Sequence, residues 1–337
     1  MLNSLPLFIA AWFYLITINK TSSDKNTFNL FTVTGKAQGT TYLIKYLHND
    51  SVIHKNQIDS VFSSLDSSLS LYKYYSAIST FNQDKRGVEY NAHLFKVVQK
   101  SIYFYNLSNG SFDITCKPLS TLWGFGKDKF EMPNSSLIKK TLENIGSNKI
   151  SFFHDSLIKT NPHVKIDCDG IAQGYSVDVF YELFLSKGIK NFMIEIGGEV
   201  RTHGLNEKSE PWTIGIEDPT QFLNNDFLVS KVVNISNKAI TTSGNYKKYK
   251  KIGNLYFSHI IDPIKGRPVN NGIISVTVIA DDAITADALD NAFMVMGIEK
   301  SFQLIKSLPT VGFYITYKKS SGMITDTANN YFKTYLK

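Results

Sequence analysis

Residues Thr285–Gly297 read TADALDNAFMVMG. The stretch lacks Pro, is poor in β-branched residues, and ends in a Gly suited to the position just past a helix. The spacing predicts a helix, with Ala288, Leu289, Ala292, Phe293, Val295 and Met296 spread over a broad apolar face. Asp287, Asp290 and Asn291 fall at i, i+3 and i+4, so they share one side. A helix this apolar is largely buried, yet it carries two acids and an amide with no Lys or Arg beside them. Two explanations are open. In one, the acids cap the helix N-terminus, where the macrodipole favours negative charge. In the other, Asp287 and Asn291 offer oxygen to one hard cation such as Mg²⁺. Asp290 lies further in, where Asp costs helix propensity with little dipole compensation, and this tilts the reading towards a metal.

Working outward, GIISVTVIADD (272–282) is a buried strand that feeds this helix. Residues 28–47 read as strand–turn–strand. Helices are expected over 56–69, over 91–110 with Asn91 as N-cap, over 135–146, from about 171 to 188, and over 299–308. VKIDCDG (164–170) reads as a short strand ending in a turn, FMIEIGGE (192–199) as a strand, and GFYITYKKSSGMITDT (312–327) as a hairpin. Strands and helices mix without strict βαβ alternation. The fold class is therefore α+β (mixed α/β), with partly antiparallel sheets and flanking helices.

The chain has 337 residues, 43% hydrophobic and 19% charged, which is an ordinary globular composition. A net charge of +7 suits an anionic ligand or an anionic membrane surface. No dense basic stripe with interleaved aromatics is present; NYKKYKK (245–251) is the nearest approach and is short, which argues against nucleic acid. LPLFIAAWFYLITI (5–18) is an unbroken apolar run of 14 residues, shorter than the ~20 that span a bilayer. It matches the core of an export signal, so residues 1–25 are expected to be a signal or anchor segment and 26–337 one domain. Cys116 and Cys168 are expected to be buried small hydrophobes, with a disulfide open if the chain is exported.

Several other stretches invite a ligand. KIDCDGIAQGYSVDVF (165–180) is a tight turn leading to a helix, where Gly170 and Gly174 admit a close approach and the helix start offers N–H groups to an anion. It matches neither dinucleotide fingerprint nor Walker loop. Asp167 and Asp169 are ligand contacts or turn residues. NGSFDITCKPLSTLWGFG (109–126) is a packed loop, or one that lines a planar ligand. His259, in SHIIDPIKGRPV (258–269), is a structural residue, a general base or a phosphate contact. TTSGNY (241–246) reads as a Ser-Gly turn that either binds phosphate or is only a turn.

Taken in order, QGTTY, LYKYYSAISTFN, GSFDITCKPLSTLWGFG, KIDCDGIAQGYSVD, EIGGEVRTHG, WTIGIEDP, AITTSGNY, SHIIDPIKGRPV and ADALDNAFMVMG resemble the ApbE family from about Phe28 to the C-terminus. The resemblance implies an FAD:protein FMN transferase. Such enzymes use Mg²⁺, cleave the FAD pyrophosphate, join FMN to a Thr hydroxyl of an acceptor flavoprotein and release AMP. Some members hydrolyse FAD to FMN and AMP instead. A non-catalytic exported flavin-binding protein is a further alternative. By the same resemblance, Asp287, Asn291 and the Gly170 carbonyl hold Mg²⁺. Gln38, Tyr72, Asp113, Ile114, Thr115, Asp167, Gln173, His259 and Ile260 contact FAD, and His259 and Asp287 are catalytic. The implied acceptors are flavodomain subunits of membrane electron-transfer complexes, at the periplasmic face of the inner membrane. Asn291, Gln173 and Gln38 stand where the family commonly has Thr, Lys and Met.

Overall fold

The structure, a computed structural model, describes residues 28–125, 132–219, 229–246, 249–252 and 255–337. The expected signal or anchor segment, residues 1–25, lies outside the described residues. Among those described, no helix is long and apolar enough to cross a membrane.

An eight-stranded sheet organises the chain. Its spatial order is Asn29–Ala37, Thr40–His48, Phe192–Ile196, Glu199–His203, Ala239–Gly244, Ile273–Ala280, Gly312–Lys318 and Ile324–Ala328. Every neighbouring pair is antiparallel. Strand alternation sends successive side chains to opposite faces. Phe192, Ile194 and Ile196 enter the larger core, and Met193 enters a second one. On the larger side lie the helices Lys55–Leu69, Ala172–Ser186 and Ala283–Met296. Against the other face pack the Trp212–Glu217 and Val229–Ile235 hairpin and Phe332. Both faces are covered, so the central strand IISVTVIA reads as a nearly continuous apolar run rather than an alternation. A smaller cluster of Leu119, Trp123, Ile138, Ile145 and Ile261 forms beside the main core.

The expected helices are present, with Asn91 as N-cap, its side-chain oxygen accepting from the Leu94 N–H. The helix at 135 stops at Leu142, short of Gly146. Three expectations are corrected. VKIDCDG joins no sheet, though it does end in a turn at 169–170. The Asn82 amide bonds both the N–H and the carbonyl of Ile166, and the Asp167 N–H donates to Ile114, so side chain and loop do the work of a ladder. TTSGNY is not a turn: residues 241–244 continue the Ala239–Gly244 strand, with Ser243 opposite Val276. The stretch after Asn109 is no plain loop either, since Ile114–Cys116 is a 3-10 turn that leads into the Lys117–Leu122 helix. Both cysteines are free thiols.

Candidate active site

The Ala283–Met296 helix is capped without help from Asp287 or Asp290. Asp282 accepts from the Thr285 N–H, and Asp178, on another helix, accepts from the N–H groups of Ala283 and Ile284 at 2.9 Å each. Asp178 also pairs with Arg201 at 2.7 Å. Burial pushes the Asp178 carboxyl up to about 6, against the pull of Arg201. The orphan donors of the helix start are thus satisfied from outside, and the capping explanation for Asp287 and Asp290 falls.

Those two acids turn inward instead. Asp287 is 3% exposed, and its Oδ2 accepts from the Gly174 N–H at 2.9 Å. Asp290 is 1% exposed, and its Oδ2 accepts from the Thr241 hydroxyl at 2.7 Å. Burial raises both carboxyls, that of Asp287 to about 7. Gly174 does not admit a ligand. A Cβ there would lie 2.8 Å from the Asp287 Cβ, so the missing side chain lets two helices touch. The N–H it presents is taken by the chain's own carboxylate rather than by an external anion.

Asn291 completes the corner. Its Nδ2 reaches the Gly170 carbonyl at 3.4 Å and the Asp287 Oδ1 at 3.3 Å. Gly170, Asp287 and Asn291, 121 residues apart at the extremes, therefore meet at one point. The Asp287 carboxylate and the Gly170 carbonyl offer oxygen to a hard cation, and the Asn291 amide would add a third oxygen through its Oδ1, with the remaining positions open to substrate phosphate. Among the described residues no three His, Cys, Asp or Glu side chains cluster as a metal site, so the fit rests on this mixed set. The residues present fit Mg²⁺.

A cleft of ≈ 700 Å³ opens beside this corner, lined by Gln38, Tyr72, Lys73, Asp169 and Gln173 among others. Gln38 sits at the tip of the first hairpin with φ 51° and donates to the Ser176 hydroxyl at 3.1 Å. Gln173 donates to the Ile196 carbonyl at 2.8 Å. Tyr72 is 85% exposed at the mouth. Three expected cofactor residues are therefore brought together. None of the others lines this cleft. Asp167 pairs with Lys117 at 3.1 Å and is tied through its N–H to Ile114. Asp113 and Thr115 are buried; Asp113 accepts from Thr115 and from the Ser147 hydroxyl, and burial raises its carboxyl. Asp113 also lines a separate hollow of ≈ 240 Å³. His259 is half-buried, edge-on to Phe125 with ring centroids 6.4 Å apart. Ile260 is buried, and its carbonyl accepts from the Val269 N–H.

The sequence reading missed Lys117, Thr241, Ser243 and Asp178. Lys117 had a signal: a cation in the first turn of a helix opposes the macrodipole and needs a partner. Asp178 had none, because the helix it caps begins 105 residues away.

The ApbE family model matches residues 38–315, which hold every expected site residue. The chain belongs to the ApbE family. It is 33% identical over 312 residues to the FAD:protein FMN transferase of Vibrio cholerae, covering 90% of this chain and 92% of that one. To the Haemophilus influenzae protein of the same name it is 30% identical over 318 residues, covering 90% and 91%. Among solved structures, the flavin transferase ApbE from Vibrio cholerae superposes with TM-score 0.82 at 32% identity, over 92% of this chain and all of that one. The apo flavinyl transferase ApbE of Pseudomonas stutzeri gives 0.81 at 27% identity, over 93% and 98%. On this fold the chain carries the cleft and the corner side by side.

Proposed function

We propose that this chain is an FAD:protein FMN transferase that joins FMN from FAD to a Thr hydroxyl of an acceptor flavoprotein and releases AMP. The observation that carries the reading is the meeting of Gly170, Asp287 and Asn291 beside a ≈ 700 Å³ cleft, in a chain of the ApbE family. Gln38, Tyr72 and Gln173 bind and orient the dinucleotide. The Lys117–Asp167 pair stiffens the wall next to it. Asp287, Asn291 and the Gly170 carbonyl would hold Mg²⁺, which supplies neutralisation of the pyrophosphate charge when bound. The acceptor Thr Oγ bonds to the FMN phosphorus, the bond to the bridging oxygen breaks, and that oxygen leaves on AMP. His259 is the group assigned to take the Thr proton. Ile260, Asp113, Ile114, Thr115 and Asp167 fix the shape of the surrounding wall.

The apolar run at 5–18 supports export, and with it action at the periplasmic side on subunits of membrane electron-transfer complexes. Cell fractionation of the tagged chain tests this; recovery in the cytosol alone overturns it.

The activity is tested by incubating the chain with FAD, Mg²⁺ and a flavodomain bearing an acceptor Thr. Flavin fluorescence retained on the denatured acceptor is the expected result. AMP release without labelling assigns hydrolysis instead, and intact bound FAD leaves only binding.

A further inference from the structure

One side-chain nitrogen lies at the centre of the oxygen corner. The Asn291 Nδ2 is within 3.0 Å of the Asp287 carbonyl, 3.0 Å of the Asp290 Oδ1, 3.3 Å of the Asp287 Oδ1 and 3.4 Å of the Gly170 carbonyl. Chemistry fixes which way the amide faces. Main-chain carbonyls accept only, so the nitrogen must point at the Gly170 and Asp287 carbonyls and the oxygen away from them. That oxygen, Oδ1, accepts from the Ser243 hydroxyl at 3.3 Å. An NH₂ group has two hydrogens for these four oxygens. It satisfies them incompletely, whereas a cation attracts every oxygen at once.

An amide that binds a cation must do so through Oδ1, and here Oδ1 faces Ser243. The nitrogen and a cation compete for the same oxygens. We infer that Asn291 is an internal stand-in for the cation. Its amide latches the Gly170, Asp287 and Asp290 oxygens together, and turns over about its Cβ–Cγ bond when the cation arrives. Ser243 is the second station. Its hydroxyl donates to Oδ1 in the latched position and accepts from Nδ2 in the turned one, a reversal open to a hydroxyl and closed to a carbonyl. Asp290, held by Thr241, is the positioning residue that keeps the latched amide in place. The latch gives the corner a settled arrangement of buried acids, and lowers cation affinity by the fraction of molecules held in it.

This inference rests on the assignment of Gly170, Asp287 and Asn291 to a cation, and the test separates the two. The full chain is labelled with ¹⁵N at Asn and Gly, and MgCl₂ is titrated after chelator treatment. The Asn291 side-chain signal is identified by its loss in Asn291→Thr. The Gly174 N–H, bonded to the Asp287 Oδ2, reports arrival of the cation independently. The expected result is an Asn291 NH₂ slow to exchange without Mg²⁺, which shifts and exchanges faster as the Gly174 signal moves. Movement of Gly174 with an unchanged Asn291 NH₂ overturns the latch. Movement of neither overturns the cation assignment, and the latch with it. Ser243→Ala takes the hydroxyl from both positions of the amide, but only the turned NH₂ donates to it. The Asn291 NH₂ of this variant is expected to stay slow to exchange in the chelated protein and to exchange faster than the parent's in Mg²⁺; a parent-like rate in Mg²⁺ overturns the role of Ser243.

Discussion

Asp287 buries a carboxyl at 3% exposure beside Asp290, with Asp169 and Asp178 near enough to add their fields. Its folded-state value of about 7 lies above the ordinary 3.8, so folding favours the proton. The stabilisation from holding that proton is complete below pH 3.8 and is lost as pH rises through about 7. With divalent metal chelated, Asp287→Asn is expected to be more stable than the parent at pH 8 by more than about 1 kcal/mol, and no more stable at pH 4. Urea denaturation at the two pH values measures the difference; an equal offset at both would show that the carboxyl is not the source. Mg²⁺ reverses the balance, because the cation favours the ionised carboxylate. The same residue governs activity. Asp287→Ala removes the one carboxylate in the Gly170–Asp287–Asn291 donor set, and the Mg²⁺-dependent transfer rate is expected to fall at least about a hundredfold, the scale of losing several kcal/mol of charge stabilisation. Full activity in that variant would sink the metal assignment. Burial thus makes Asp287 costly to the fold and useful to the chemistry.

The corner exists because two helices meet closely. The Ala172–Ser186 helix runs its Gly174 against Ala283 and Asp287 of the Ala283–Met296 helix. Gly174→Ala inserts a methyl where backbone and side chain already lie, and overpacking of this kind costs about 1–3 kcal/mol. We expect a lower denaturation midpoint and a Mg²⁺ response weakened at least about tenfold, since the methyl pushes Asp287 off its N–H donor. A normal midpoint with a normal response would mean that the helices are not in contact there. Asp178 ties the same two helices from the other side. Asp178→Ala leaves the half-buried Arg201 without its carboxylate and two helix donors uncapped, and is expected to cost about 3 kcal/mol. Thermal unfolding of the variant checks it. Helices of this kind were legible from the sequence because their apolar spacing is a local property. So was the polar side of TADALDNAFMVMG, whose three members share one turn. VKIDCDG was not legible, since its ladder partner is the Asn82 side chain, and no pattern within the stretch reveals a side chain 84 residues away. The Ser243 station was hidden for a related reason: a Ser-Gly pair reads as a turn until its pairing with the Ile273–Ala280 strand shows it to be part of a ladder.

On the scale of the molecule, the antiparallel sheet brings the first hairpin and the 167–174 segment to one cleft, with the Ala283–Met296 helix packed against that segment. The 167–174 segment belongs to both halves of the site. Asp169 and Gln173 line the cleft, while Gly170 and Gly174 touch Asn291 and Asp287. In the proposed site, ordering this segment for one ligand would order it for the other, and the FAD phosphates would complete the donor set that the protein leaves open. Binding of FAD and of Mg²⁺ is therefore expected to be coupled, and coupling of equilibria is reciprocal. Saturating Mg²⁺ is expected to tighten FAD by at least about tenfold, and saturating FAD to tighten Mg²⁺ by the same factor. Calorimetric titrations around the closed cycle, with Asp287→Asn as the variant that lacks the charged ligand, measure both legs. Equal FAD affinity with and without Mg²⁺ would separate the cleft from the oxygen corner. A coupling that persists in Asp287→Asn would place the cation somewhere other than Gly170, Asp287 and Asn291. Coupling present in the parent and lost in the variant is the outcome expected of a site in which one turn serves both the dinucleotide and the cation.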